Sequence, residues 1–314
     1  MRIGIMGNQA YSVAAQGPFD VDALIEDARR TQRDGMTSYW IGQQFDWDAF
    51  SLLAAIAREV PEIELGTAVT HLWTAFPVHM AQQAMSLRVL SEGRFTLGLG
   101  LEHRWVIEQM WGIGWDRPVS RLDEYLDIVS SLLKTGRVEH HGDFYDVETA
   151  FLRFPPDPRM QVILAALGPR MLRIAGTKAD GTATWMTGPR TLANHIVPSI
   201  RAAAAEAGRP PPRVIALMPV ALTGDVPAMR ERVSEEMAIY QRMPSYQAML
   251  EREGAKSAGE TGLLGSRDEV EDAIGRLGQA GVTDLGAILF GSEDEQDRTR
   301  ELLSDLSPTR EVSR

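Results

Sequence analysis

The sequence predicts an α/β fold, with a closed (β/α)8 barrel favoured over an open doubly wound sheet. Three observations carry this. Short apolar runs alternate with helical stretches along the 314 residues, and strict β–α alternation produces a parallel sheet. Eight such runs can be marked, which is the number a closed barrel needs. Hydrophobic residues make up 44 % of the chain against 24 % charged, enough apolar surface for a substantial core.

The elements follow in order. Arg2–Met6 is the first strand. Asp20–Arg33 is a helix, with Asp20 placed as its cap and Leu24, Ile25 and Ala28 at helical spacing. Ser38–Ile41 is the second strand, and Asp48–Val60 the next helix, stopped by Pro61. Ile63–Val69 is the third strand. Pro77 opens a helix to Leu90, where its missing N–H costs nothing. Arg94–Gly100 is the fourth strand. Val162–Leu167, Thr182–Met186, Arg213–Leu222 and Asp284–Phe290 are the remaining four. Helices are expected at Pro169–Lys178, Pro189–Ala207, Val226–Gly254 and Asp268–Ala280. Residues 1–314 are expected to form one domain, with an insertion at about 111–158 holding a helix (Val119–Lys134) and a Gly142-centred hairpin (Val138–Tyr145). Insertions at a barrel's C-terminal rim usually build the site.

Composition removes several classes. With 32 Lys+Arg against 43 Asp+Glu the formal charge is −11, which argues against a nucleic-acid partner. The chain has no cysteine, which excludes disulfides, thiolate catalysis and cysteine-based metal sites. Met1–Ala10 is too short an apolar run for a signal segment or membrane span, so a cytoplasmic protein with its mature start at Met1 and no membrane partner is expected. The six histidines do not gather at metal-ligand spacing, and no metal site is expected. His71 and His103 alone fall just past strand ends, whereas His140 and His141 decorate the hairpin.

Other residues point to a ligand. Gly98-Leu99-Gly100 either lets a flat ring approach the backbone or simply packs the rim. Ala165-Ala166-Leu167-Gly168-Pro169-Arg170 joins a strand to a helix start, where free N–H groups favour an anion. Met186-Thr187-Gly188-Pro189-Arg190 repeats the design one unit later, and Arg170, Arg173 and Arg190 add positive charge. Trp73, Trp105, Trp111, Trp115 and Tyr145 imply an aromatic-lined pocket for a planar ligand.

Taken together, Asp48–Leu53, Leu65–Thr70, Pro77-Val78 with Ala81–Ala84, Gly93–Gly100, Met110–Gly112, Asp116–Pro118, Ala165–Met171, Ala179–Gly181 and Trp185–Arg190 resemble the bacterial luciferase-like oxidoreductase superfamily. Within it they are most similar to the actinobacterial branch that uses coenzyme F420, an 8-hydroxy-5-deazaflavin. The resemblance covers nearly the whole chain. It implies a (β/α)8 TIM barrel, a homodimer, and a deazaflavin (or, alternatively, FMN) across the C-terminal barrel mouth. It implies a non-proline cis peptide at Ala68–Val69 behind the ring, and coenzyme phosphate at the Gly168 and Thr187–Gly188 turns. The implied cofactor residues are Gln43, Ala68, Val69 and Thr70, then Leu99, Gly100 and His103, then Ala166, Leu167, Gly168, Pro169 and Arg170, with Met186, Thr187 and Gly188.

The sequence departs from the family at one place. Deazaflavin-dependent alcohol and sugar-phosphate dehydrogenases carry an Asp-His pair after strand two, where this chain has Gln43-Gln44-Phe45. Glutamine cannot take a hydroxyl proton. The expected reaction is therefore hydride transfer from reduced F420 to a planar, electron-poor acceptor such as a nitroaromatic or conjugated ketone, although tetrahydropterin-like rings would stack equally well. Gln44, Glu102 and His103 are the candidate catalytic groups. The alternatives are an FMN-dependent monooxygenase and a non-catalytic coenzyme-binding protein.

Overall fold

A computed structural model describes residues 1–7, 19–43, 45, 47–151, 153 and 155–308. Eight parallel strands close into a barrel: β1 (Arg2–Met6), β2 (Ser38–Ile41), β3 (Glu64–Thr67), β4 (Phe95–Gly100), β5 (Val162–Ala165), β6 (Gly181–Trp185), β7 (Arg213–Leu222) and β8 (Asp284–Leu289). Each pairs with the next, and β8 returns to β1 with Arg2 opposite Asp284 and Ile5 opposite Ala287. The barrel is thus closed, and the doubly wound alternative falls.

Helices cover the outside, and their starts follow the sequence. Asp20 accepts from the Ala23 N–H at 3.0 Å and heads Val21–Arg33. Asp48 accepts from the Ser51 N–H at 2.8 Å and heads Ala49–Glu59. Leu24, Leu53, Ile56, Met80 and Leu126 face the sheet from these and later helices and are all buried. Inside the barrel, Met6, Trp40, Ile163, Ile215, Leu217 and Ile288 form a second cluster. Gly66 makes room for it, because a Cβ there would lie 2.0 Å from the Trp40 ring.

Below Trp40 the N-terminal end of the barrel is closed by ions. Arg213 on β7 bonds Glu64 on β3 at 2.8 Å and Asp284 on β8 at 2.6 Å, Arg2 on β1 pairs with Glu64, and the Thr96 hydroxyl donates to Glu64 at 2.6 Å. Burial opposes ionisation of Glu64, but the Arg213 and Arg2 guanidiniums override it and hold its carboxyl below the usual range.

Several expectations change. The expected third strand is interrupted: it runs Glu64–Thr67 and resumes as Thr70–His71, with the Ala68–Val69 peptide cis between them. The expected helix Val226–Gly254 is three helices, Val226–Glu236, Ala238–Gln241 and Pro244–Glu253, since Pro244 lacks the N–H a continuous helix needs. Pro189–Ala207 contains a π-turn at Leu192–Ile196. The hairpin is longer than expected, Arg137–His141 against Asp146–Ala150, with Glu124 accepting from the N–H groups of Asp143, Phe144 and Tyr145 in its turn. A strand at Leu263–Gly265 beside β7, a π-turn at Val106–Met110 and a helix at Glu293–Leu306 were not expected. Among the described residues no helix is long and apolar enough to cross a membrane.

Candidate active site

The break in β3 shapes the floor of the site. The β3–β4 ladder pairs Gly66 with Thr96, stops, and resumes with Thr70 opposite Leu99. The Thr67 hydroxyl bridges the gap, donating to the Gly98 carbonyl at 2.9 Å and accepting the Gly98 N–H at 2.8 Å. A Cβ on Gly98 would sit 2.0 Å from the Thr67 carbonyl oxygen, and one on Gly100 2.7 Å from Val69. The Gly98-Leu99-Gly100 signal therefore reports packing against the bulge. The Gln43 N–H donates to the Val69 carbonyl at 3.3 Å and ties β2's end to the same place.

Above this floor lies a cavity of about 2000 Å³. Strand ends supply Gln43, Ala68, Val69, Thr70, Gly100, Leu167, Gly168 and Trp185, and Glu102 and His103 project from the loop after β4. Trp105 and Trp115 form one wall, and Tyr240, Met243 and Tyr246 from the broken helix form the other. The π-turn after His103 widens the helix there, and its Glu108 and Gln109 stand at the rim of the cavity.

Glu102 and His103 are a half-buried titratable pair on the cavity wall. Glu102 has a positive φ of 59°, and its carboxylate accepts the His103 N–H at 3.1 Å. Burial pushes the Glu102 carboxyl up, against the opposing effect of that bond. The His103 ring is hemmed by Tyr240 at 6.0 Å and Tyr246 at 5.8 Å, and burial lowers its pKa to about 4. At neutral pH the imidazole is uncharged, with one donor and one acceptor nitrogen. Burial and the Glu102 carboxylate together raise Tyr240 to about 12.

The other expected residues are scattered over several places. Gln44 lies outside the described residues. Gln43 reaches the wall, but its side chain donates to the Trp47 carbonyl at 2.8 Å and accepts the Ala49 N–H at 3.0 Å, so it braces the loop. Leu99 and Ala166 belong to the outer core and point away from the cavity. Pro169 and Arg170 begin Pro169–Lys178, whose start has no side-chain cap; a Cβ at Gly168 would meet nothing within 4 Å, and Arg170 donates to Ser120 at 3.0 Å. That turn is open to an anion.

The second turn is engaged from inside the chain. Glu253 accepts the Arg190 N–H at 3.1 Å and the Thr191 N–H at 2.7 Å, and a Cβ on Gly188 would lie 2.3 Å from its carboxyl carbon. Thr187 donates to the Trp185 carbonyl at 3.0 Å, and Met186 is buried with φ 50°. Of the aromatics, Trp73 stacks behind Trp115 at 5.0 Å, Trp111 packs on His71 at 4.8 Å, and Tyr145 lies beneath the hairpin against Phe76 and Tyr125. Sequence reasoning missed Tyr240, Met243 and Tyr246, which reach the site only through the fold. Among the described residues no three acidic or histidine side chains gather to hold a metal.

Comparison with known proteins agrees with this architecture. A 5,10-methylenetetrahydromethanopterin reductase of Methanolobus tindarius is 26 % identical over 290 residues, 91 % of this chain and 88 % of the relative. The structure of the coenzyme F420 dependent tetrahydromethanopterin reductase from Methanopyrus kandleri superposes with a TM-score of 0.80 at 20 % identity, covering 98 % of this chain and 99 % of that one. An FMN complex of a type II Baeyer–Villiger monooxygenase from Pseudomonas putida gives 0.79 at 19 % identity, covering 99 % and 100 %. These two structures show the shared barrel; one enzyme is described as coenzyme F420 dependent and the other is a complex with FMN. The family model for luciferase-like monooxygenases matches residues 1–297, and the chain belongs to that family.

Proposed function

We propose that the protein is an oxidoreductase that uses reduced coenzyme F420 to reduce a planar, electron-poor organic acceptor. The observation that carries this is the pairing of Glu102 and His103 inside the cavity. Desolvation raises the Glu102 carboxyl, which suits it to donating a proton, and keeps His103 neutral, with an N–H that can hydrogen-bond a developing anion. The base that deazaflavin-dependent alcohol dehydrogenases carry at the end of β2 is absent here, which leaves Glu102 and His103 as the groups that could serve the oxidative direction. Gln43 stands at the end of β2 with its side chain bonded to Trp47 and Ala49, and its neighbour is Gln44.

The residues present fit the cofactor. The bulge at Ala68–Val69 and the aromatic walls form a slot for a flat ring. The uncapped helix start at Gly168, with Arg170 beside it, suits a phosphate. Bound there, the reduced ring would supply a hydride. Ala68, Val69 and Thr70 would hold its position, Trp105 and Trp115 would exclude water, Glu102 would offer the proton to the acceptor, and His103 would offer a hydrogen bond to the developing anion. The F420-dependent reductase among the structural neighbours supports the reading. The homodimer implied by the resemblance is part of it.

The test is titration of the protein with F420 and with FMN, followed by turnover of reduced F420 against nitroaromatic, conjugated-ketone and pterin acceptors. Saturable F420 binding with acceptor-dependent oxidation is expected. Tight FMN binding with oxygen consumption would replace this reading with the monooxygenase. Binding without turnover of any acceptor would favour a coenzyme-binding protein.

A further inference from the structure

We propose that His71 relays protons into the active site from a small side chamber open to solvent, a role that rests on the reductase reading above. The chamber has a volume of about 120 Å³ and lies behind the end of β3. Asp48, Thr74, His79 and Gln83 give it a polar wall, and all but Gln83 are exposed, so it communicates with bulk water. Thr70 and His71 line both this chamber and the main cavity. His71 is thus a shared partition.

Its chemistry suits a relay. The residue follows the bulge directly, is 6 % exposed, and rests its ring on Trp111. Its Nδ1 is buried and has no hydrogen-bond partner among the described residues. A buried imidazole nitrogen without a protein partner is costly, and a polar chamber beside it provides for water. Burial also keeps the ring neutral near pH 7, with its pKa lowered to about 4. A neutral imidazole accepts a proton at one nitrogen as it releases one from the other. The remaining titratable groups on the two cavities near this partition are Glu102 and His103 on the main side and Asp48 and His79 on the chamber side.

The relay has a defined place in the reaction. Reduction of a conjugated ketone breaks the C=C π bond. A hydride, with its two electrons from reduced F420, forms the new C–H bond at the β-carbon, and the resulting enolate takes one proton. That proton comes ultimately from solvent. His71 accepts a proton at one nitrogen from a chamber water as its other nitrogen releases one inward; bulk water neutralises the hydroxide left in the chamber, and a flip of the neutral ring restores the starting tautomer.

The test combines a measurement on the cofactor-free protein with kinetics. In nitrogen-15 spectra of the free protein at pH 7, His71 is expected as a neutral tautomer with a magnetisation-exchange contact to water. An imidazolium, or a ring isolated from water, would overturn the proposal. With reduced F420 and 2-cyclohexenone, His71→Gln is expected to lower kcat at least tenfold, leave F420 affinity and KM within threefold, and enlarge the solvent deuterium isotope effect. Thr74→Val, which leaves the ring in place and removes a polar group from the chamber, is expected to shift kcat and the isotope effect in the same direction. It also serves if His71→Gln fails to fold. Wild-type kcat and isotope effect in whichever of these variants folds would reject the relay while the reductase stands. A wild-type protein that oxidises reduced F420 with none of the acceptors would reject the reductase, and the relay with it.

Discussion

Glu253 makes a sharp prediction, because one carboxylate closes a helix start from a distant element. Glu253→Ala removes the acceptor for the Arg190 and Thr191 N–H groups, at 3.1 and 2.7 Å. Loss of a helix-capping acceptor costs about 1 kcal/mol, and loss of a negative charge at a helix start adds about 0.3–1 kcal/mol. The expected loss is therefore about 1.3–2 kcal/mol. At about 2.1 cal/mol/K per residue, a chain of 314 residues has an unfolding entropy near 0.7 kcal/mol/K, so Tm should fall by about 2–3 °C. Gly188→Ala should cost a similar amount by another route, since its Cβ would sit 2.3 Å from the Glu253 carboxyl carbon and push it off the turn. The double variant should then be no worse than the more damaging single one. Calorimetry and urea titration of the four proteins measure this coupling. If the two losses add to within about 0.5 kcal/mol, the two residues are independent and the reasoning fails. F420 affinity should stay within twofold in Glu253→Ala, because Gly188 does not line the cavity.

Acid should destabilise the protein in two stages. His71 and His103 have folded pKa values of about 4 against 6.5 unfolded, so their contribution is complete above 6.5 and is lost as pH falls towards 4, on the order of 3 kcal/mol each. Urea midpoints of His71→Asn and wild type should therefore converge on acidification from pH 7 to 4.5. Glu64, lowered by Arg213 and Arg2 despite its burial, holds its contribution down to about 4.5 and loses it as pH falls through its folded value, which Glu64→Gln should abolish in acid-unfolding curves. Arg213→Met should cost about 3–5 kcal/mol by leaving the carboxylates of Glu64 and Asp284 with Arg2 alone as their cation, as read from chemical denaturation. If Glu102 donates the proton, turnover should fall as pH rises through its raised pKa, and Glu102→Gln should flatten that limb in a pH–rate profile. Arg170→Ala should weaken F420 binding two- to fivefold at low salt, about 0.5–1 kcal/mol, with the difference shrinking as salt rises in a fluorescence titration.

The barrel was legible because its strands are apolar runs between helix caps that act locally, such as Asp20 and Asp48. The cap of Glu293–Leu306 was equally local: Ser292 and Glu295 form a capping box, and the helix was overlooked because no strand follows it. Pro244 stood in the sequence as the break in Val226–Gly254. Other features have no local signal. Tyr240 and Tyr246 face His103 from more than a hundred residues away, and Glu253 reaches the Gly188 turn from more than sixty. An anion-binding turn also looks the same in sequence whether its N–H groups await a ligand, as at Gly168, or are held by a carboxylate, as at Gly188.

The pairing of β8 with β1 has a consequence for synthesis on the ribosome. Arg2–Met6 emerges more than 270 residues before its partner Asp284–Leu289. Until then β1 presents a bare edge of N–H and C=O groups, and Arg213 lacks the Asp284 carboxylate that it grips at 2.6 Å. The growing chain therefore carries an open, self-adhesive sheet through most of its translation. Ribosome-bound chains stopped before Asp284 should need chaperone shielding that chains released after Leu289 no longer require.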